Sequence, residues 1–70
     1  MALLVTSPTG EILRANAAAV ELLDNADLVG KPVEAMLEAA ERERLLRTRV
    51  RWLRHEGDVL RLYVIHDAED

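Results

Sequence analysis

The sequence predicts a small α+β domain, in which an antiparallel sheet of about four strands carries two or three short helices on one face. Two observations support this class. Short apolar runs separated by turn residues lie near both ends of the chain, as in β-hairpins. Between them, apolar residues recur at helical spacing. The chain has 70 residues, so we expect a single domain over residues 1–70.

Composition narrows the classes of function. Half of the residues are hydrophobic, cysteine is absent and the net charge is −4. A chain this short buries only about 60% of its unfolded surface, so a partner subunit is the expected source of further stability. The absence of cysteine fits a reducing, cytoplasmic location. Negative charge disfavours nucleic-acid binding, and no apolar run approaches the ~20 residues that span a bilayer.

The first predicted element is a β-hairpin. Residues 3–6 form a short apolar run that ends in the turn sequence Ser-Pro-Thr-Gly at residues 7–10. Proline presets φ there, and glycine supplies a positive φ. Residues 11–15 then return as the second strand. Because no basic segment precedes the apolar run, we interpret the start as a strand and not as a signal peptide.

Two helices are predicted to follow. Asn16 is a good N-cap, and the three alanines after it favour a helix over residues 17–23. We expect one irregular or 3₁₀ turn at residues 26–29, ended by Gly30. Pro32 is suited to the first position of the second helix. The apolar residues at helical spacing in that helix are Val33, Met36, Leu37 and Ala40.

The stretch over residues 45–54 admits two interpretations. Leu45 and Leu46 could continue the second helix. However, arginines at positions 47, 49 and 51 alternate with Thr, Val and Trp, which favours a strand from about residue 48 to residue 54. The arginine row could bind an anion, although such a row is more often the solvated face of a strand.

The last predicted strand covers residues 59–66 and is apolar on both faces, as a central strand is. A two-residue turn at Glu56 and Gly57 would place Trp52 opposite Arg61, and Val50 opposite the tyrosine at position 63. Both are favourable cross-strand pairs. The acidic tail at residues 67–70 is expected to begin a connection to another part of a protein.

In their order and spacing, these segments resemble a PAS domain. Residues 4–16 resemble the first PAS hairpin, with Asn16 capping the next helix, and the Leu-Val-Gly-Lys-Pro sequence at residues 28–32 resembles the stretch before the following helix. Residues 51–67 resemble the last hairpin, which in the family often ends in Asp-Ile-Thr. Here only Asp67 of that signature is present. The chain is also shorter than a typical PAS domain between Glu38 and Arg51, where a strand and much of a long helix are missing or merged.

The resemblance implies signal transduction and not catalysis. Haem-binding members need an axial ligand, commonly His, and flavin photosensors need a reactive Cys; the chain has no His before residue 55 and no Cys. We therefore expect no cofactor. No catalytic set has suitable spacing. His66 and Asp67 are adjacent strand residues that point to opposite faces, so we expect no metal site. A narrow apolar pocket could be lined by Val20, Leu23, Met36 and Leu37.

The strands also predict an interface. Two helices can cover only one face of a small sheet, so the other face meets solvent or a partner. We expect a homodimer through that outer face, beside possible flanking signalling domains. The candidate interface residues are Leu3, Val5, Leu62, Tyr63 and Ile65. The expected function is therefore homodimerisation or protein interaction, and the alternative is a small-ligand sensory domain of a kinase, cyclase or transcription regulator.

Overall fold

The computed structural model describes residues 1–68, which form an open antiparallel sheet of four strands and two helices. The sheet order is β2-β1-β4-β3, so two hairpins lie side by side and join through β1 and β4. The predicted α+β class is confirmed at this level. The last two residues of the acidic tail, 69 and 70, lie outside the described residues. The elements are β1 (Ala2–Thr6), β2 (Ile12–Ala15), α1 (Ala17–Leu23), α2 (Val33–Glu41), β3 (Leu46–His55) and β4 (Asp58–Asp67).

Asn16 connects the first hairpin to α1. Its Oδ1 accepts hydrogen bonds from the backbone N–H of Ala19 at 2.9 Å and from that of Leu3 at 3.0 Å. Its Nδ2 donates to the carbonyl of Met1 at 2.7 Å. The first bond is the predicted N-cap, and it satisfies one of the free donors at the start of the helix. The other two bonds hold the beginning of β1 against α1.

The connection between the helices runs beside β2. The N–H of Gly30 donates to the carbonyl of Ile12 at 2.7 Å, and the N–H of Ile12 donates to the carbonyl of Lys31 at 2.9 Å. A turn closes between the carbonyl of Leu28 and the N–H of Lys31, so Gly30 lies inside the turn and not after it. Its φ of +90° is in the region that favours glycine.

The stretch with two interpretations is a strand. β3 begins at Leu46, two residues earlier than expected, and pairs with β4 along its ten residues. Glu56 and Gly57 form the turn with φ values of 51° and 85°, the left-handed geometry that matches the twist of a hairpin. The predicted register is confirmed, because Trp52 lies opposite Arg61.

The core lies between the helices and one face of the sheet, which we call the inner face. On this face Leu4 of β1 lies opposite Tyr63 of β4, and Ala2 lies opposite Ile65. The buried hydrophobic residues are Ala2, Leu4, Ile12, Ala19, Leu23, Leu28, Val33, Leu37, Tyr63 and Ile65.

This arrangement corrects the expected interface at Tyr63 and Ile65. The two side chains are 5% and 1% exposed, and both belong to the core. Successive residues of a strand point to opposite faces, so Leu62 and Val64 point away from the helices when Tyr63 and Ile65 point towards them. The expected interface includes the consecutive residues Leu62 and Tyr63, which lie on opposite faces of β4.

Candidate interaction surface

The opposite side of the sheet, the outer face, has an apolar middle. Both helices pack against the inner face, so the outer face is open. Leu3 lies opposite Val64, and Val5 lies opposite Leu62, across the central pair β1 and β4. With Leu60, one position further along β4, these residues form what we call the apolar strip. All five side chains are partly exposed.

Three of the five expected interface residues lie on the outer face, and two further members of the apolar strip were not expected. Leu3, Val5 and Leu62 lie on the outer face as expected. Leu60 and Val64 were not among the candidates. The signal for them is the two-residue period of a strand, which requires residues 60, 62 and 64 to share a face.

Shallow grooves follow the apolar strip. One has a volume of about 430 Å³ and the other about 510 Å³. The first is lined by Met1, Leu3, Arg49, Arg51, Leu62, Val64 and His66, and the second by Val5, Arg14, Leu53, Arg54, His55 and Leu60. Small-molecule sites bury most of the surface of their ligand. Grooves on the surface of a sheet leave a ligand largely in solvent, so they suit contact with another macromolecule better.

Basic side chains flank the apolar strip on both sides. On the β2 side, Arg14 lies opposite Val5. On the β3 side, Arg49 lies opposite Val64, and the neighbouring position of the same face is Arg51. The strip is therefore an apolar floor between two positively charged margins.

The β3 margin has the higher positive charge. Arg47 extends it, so that three arginines at positions 47, 49 and 51 form what we call the arginine row. Among the paired strand positions of this face within residues 1–68, the acidic side chain is Asp58, at the hairpin tip opposite His55. The outer face is thus net positive in a chain whose net charge is −4.

The tip of the β3–β4 hairpin extends beyond the helices. On its inner face Val50, Trp52 and Val59 are 49%, 63% and 42% exposed. The guanidinium of Arg61 lies 5.3 Å from the centre of the Trp52 ring, which is a cation–π distance. Every residue of β3 except Leu46 is exposed. Both faces of this strand are therefore accessible to a partner.

The expected apolar pocket between the helices is a small depression. Leu23 and Met36 line it, and its volume is about 240 Å³. Leu37 lies in the core, and Val20 packs against the core from outside. The other lining residues are Asp24, Asn25, Ala39, Ala40 and Glu43. Sites for small ligands usually exceed about 300 Å³, so this depression has little room for one.

The candidate polar groups do not converge. His66 lies opposite Arg47 on the outer face. Asp67 lies at the next position of β4, and its carboxylate is 3.7 Å from the guanidinium of Arg44. His55 pairs with Glu56 at 3.9 Å at the exposed hairpin turn. Within residues 1–68, no three His, Asp or Glu side chains form a group that could hold a metal ion.

Comparison with protein-family models and with curated protein sequences gives no match. Along the described part of the chain, neither helix has the length and apolar character needed to cross a membrane. The functional argument therefore starts from the sheet, with its apolar strip, its arginine row and its exposed hairpin.

Proposed function

We propose that the chain is a PAS-like module of signal transduction that forms a homodimer through the apolar strip of its outer face, without a cofactor. The observation that carries the proposal is the contiguity of the strip. Five apolar side chains from two central strands share one face that no helix covers. Contiguous apolar surface of this kind is typical of interfaces. A second copy would also supply burial that a chain of this size lacks.

The positive margins favour one orientation of the dimer. Packed sheets lie about 10 Å apart, and neighbouring strands are about 4.8 Å apart. A two-fold axis parallel to the strands stacks β1 on β4 of the partner and puts the two arginine rows at opposite margins. An axis perpendicular to the strands, within the plane of the interface, stacks β3 on β3 and brings the two arginine rows together. We therefore propose the parallel axis.

The interface is tested by placing a charge within the strip. Leu62→Asp should convert the dimer to a folded monomer, because the new carboxylate, although it lies opposite Arg51, would have to lose its contact with water at the interface. Val59→Asp is the matched control, since Val59 is an exposed apolar residue of the same strand on the inner face. Sedimentation equilibrium gives the subunit number, and circular dichroism checks the fold. Leu62→Ser serves the same purpose if Leu62→Asp does not fold.

Two results would contradict the homodimer. The first is a wild-type chain that stays monomeric at hundreds of micromolar. The second is a Leu62 variant, folded by circular dichroism, that remains as dimeric as the wild type. In a longer protein, the dimer would set the spacing of flanking signalling domains.

The alternative role, a small-ligand sensor, rests on the depression beside Leu23 and Met36. Native mass spectrometry separates the two roles. The dimerisation proposal expects twice the chain mass with nothing retained. A mass excess that survives gentle desolvation and disappears on denaturation would support the sensor, and Met36→Trp, which fills the depression, should then remove the excess.

A further inference from the structure

The free edge of β3 is the longest unpaired strand edge in the described chain. The sheet order leaves β3 hydrogen-bonded on one side only, along ten residues. The other edge strand, β2, has four residues, and at Ile12 its free side already bonds to the segment around Gly30 and Lys31. An open edge of ten residues presents a row of unsatisfied backbone groups to another strand.

Pairing of β3 with a second β3 is electrostatically unfavourable. In an antiparallel pair centred on Val50, Arg49 of each copy would lie opposite Arg51 of the other. In a pair centred on Arg49, Arg47 would lie opposite Arg51. Like charges directly opposite each other destabilise a sheet, so the arginine row disfavours self-association at this edge. The strand that pairs here must bring different chemistry.

The spacing of the arginine row matches alternate residues of an added strand. Residues two apart on a strand are separated by roughly 6.6 Å, and directly opposed side chains lie about 5 Å apart. Carboxylates at every second position of a partner strand would therefore each meet an arginine. On the inner face of the same edge, the partner's intervening residues would meet the exposed side chains of Val50 and Trp52.

We propose that the free edge of β3 binds an extended acidic peptide segment, in which Asp or Glu alternates with apolar residues. The segment adds a fifth strand to the sheet by backbone hydrogen bonds, and the arginine row selects its charge. This interaction does not require the homodimer, because it uses the edge of the sheet and not the apolar strip.

A nucleic acid fits this edge less well than a peptide. It offers no backbone N–H and C=O groups to complete the ladder. The chain as a whole is negatively charged, and Glu34, Glu38 and Glu41 are exposed along α2. The complementarity is confined to one strand, which is the size of a peptide ligand.

The binding test uses Trp52 as a built-in probe, because it is the single tryptophan of the chain and lies on this edge. The ligand is a capped synthetic peptide of four Glu-Val repeats. A peptide of four Lys-Val repeats is the matched control, with the same length and apolar residues but opposite charge. We expect saturable, one-to-one quenching or enhancement of Trp52 fluorescence with the first peptide and none with the second.

Charge reversal identifies the residues involved. Arg49→Glu combined with Arg51→Glu should weaken binding of the Glu-Val peptide at least about tenfold and allow the Lys-Val peptide to bind. Arg42→Glu is the control, since Arg42 is an exposed arginine at the end of α2, outside the sheet, and it should leave the affinity unchanged. Circular dichroism checks each fold, and Arg49→Gln with Arg51→Gln replaces the double variant if it does not fold.

Three results would overturn this inference. They are no binding of the Glu-Val peptide up to millimolar concentration, equal binding of both peptides, and equal or tighter binding of a single-stranded oligonucleotide. Repeating the titration on the Leu62→Ser variant, which adds no charge opposite Arg51, keeps the two proposals separate. If the monomeric variant binds the peptide, the edge site is supported independently of the dimer. If the wild type is a dimer but does not bind the peptide, the edge site is refuted and the homodimer is not affected.

Discussion

At the residue scale, single side chains decide how the local elements meet. Asn16 is the clearest case, because its side-chain amide bonds to backbone groups in α1, in β1 and at Met1, just before β1. The helix cap could be predicted from sequence, since Asn before a run of alanines is an N-terminal signal. The bonds to Met1 and Leu3 could not, because they depend on where the first strand lies relative to the helix.

Replacing Asn16 should show how much these hydrogen bonds contribute to the free energy of unfolding. Asn16→Ala removes all three and should lower the free energy of unfolding by about 2 kcal/mol, given that loss of a cap alone costs about 1 kcal/mol. Asn16→Asp keeps an acceptor for Ala19 and Leu3 but loses the donor to Met1, so it should cost less. Urea unfolding at a fixed protein concentration measures both. Equal stability of the alanine variant and the wild type would contradict the role of this residue.

The hairpin turn gives a second test at this scale. Glu56 has a φ of 51° and Gly57 a φ of 85°, a conformation in which Asn-Gly is the preferred pair. Glu56→Asn should therefore stabilise the protein by about 0.5 kcal/mol, whereas Gly57→Ala should destabilise it by about 1 kcal/mol. Thermal unfolding of the pair checks the opposite signs. Two shifts of the same sign would mean that the turn has a different geometry.

At the scale of elements, a strand could be predicted in detail only where polar and apolar residues alternate along it. The alternation of arginine with other residues predicts the strand β3, and the two-residue turn at Glu56 and Gly57 predicts its register with β4. In β4, both faces are apolar, so hydrophobicity gave no signal for which side chains face the helices. Tyr63 and Ile65 were therefore assigned to the outer face, although the packing of the helices places them inside.

The two faces of the hairpin should respond differently to truncation. Ile65→Ala should lower the free energy of unfolding by about 2–5 kcal/mol, because it leaves a cavity in the core. Trp52→Ala should cost less than about 1 kcal/mol, since the ring is largely exposed and contacts Arg61 at the surface. Urea unfolding of the two variants measures the contrast. A larger loss for Trp52→Ala would mean that the hairpin tip is covered in solution.

At the scale of the whole molecule, charge is segregated. The outer face is positive, whereas α2 carries exposed glutamates, and the net charge of the chain conceals this division. The positive sign of the β3 margin could be predicted from its alternation. The second margin at Arg14 could not, because it depends on the pairing of β2 with β1.

The positive charge on both margins of the outer face should affect the affinity between the two copies of the dimer. With the two-fold axis parallel to the strands, Arg14 of one copy lies across from Arg51 of the other, since both align with the pair Val5 and Leu62. Arg14→Glu should therefore tighten the dimer several-fold at low salt, and the gain should fade as salt screens the pair. Sedimentation equilibrium at two salt concentrations measures it. A weaker dimer would contradict the parallel axis.

The central claim is a face-to-face homodimer, and the distance between the two copies tests it most directly. The chain has no cysteine, so Arg49→Cys introduces one site for a spin label, at the margin of the outer face. In the proposed dimer, the two copies of residue 49 are separated by three strand spacings within the plane of the sheets and by one spacing between the packed sheets. The resulting distance between their backbones is roughly 17 Å. Pulsed electron paramagnetic resonance should therefore show one distance of about 15–25 Å, which disappears in a Leu62→Asp background. No dipolar coupling, or a spacing near 10 Å that survives Leu62→Asp, would contradict the account.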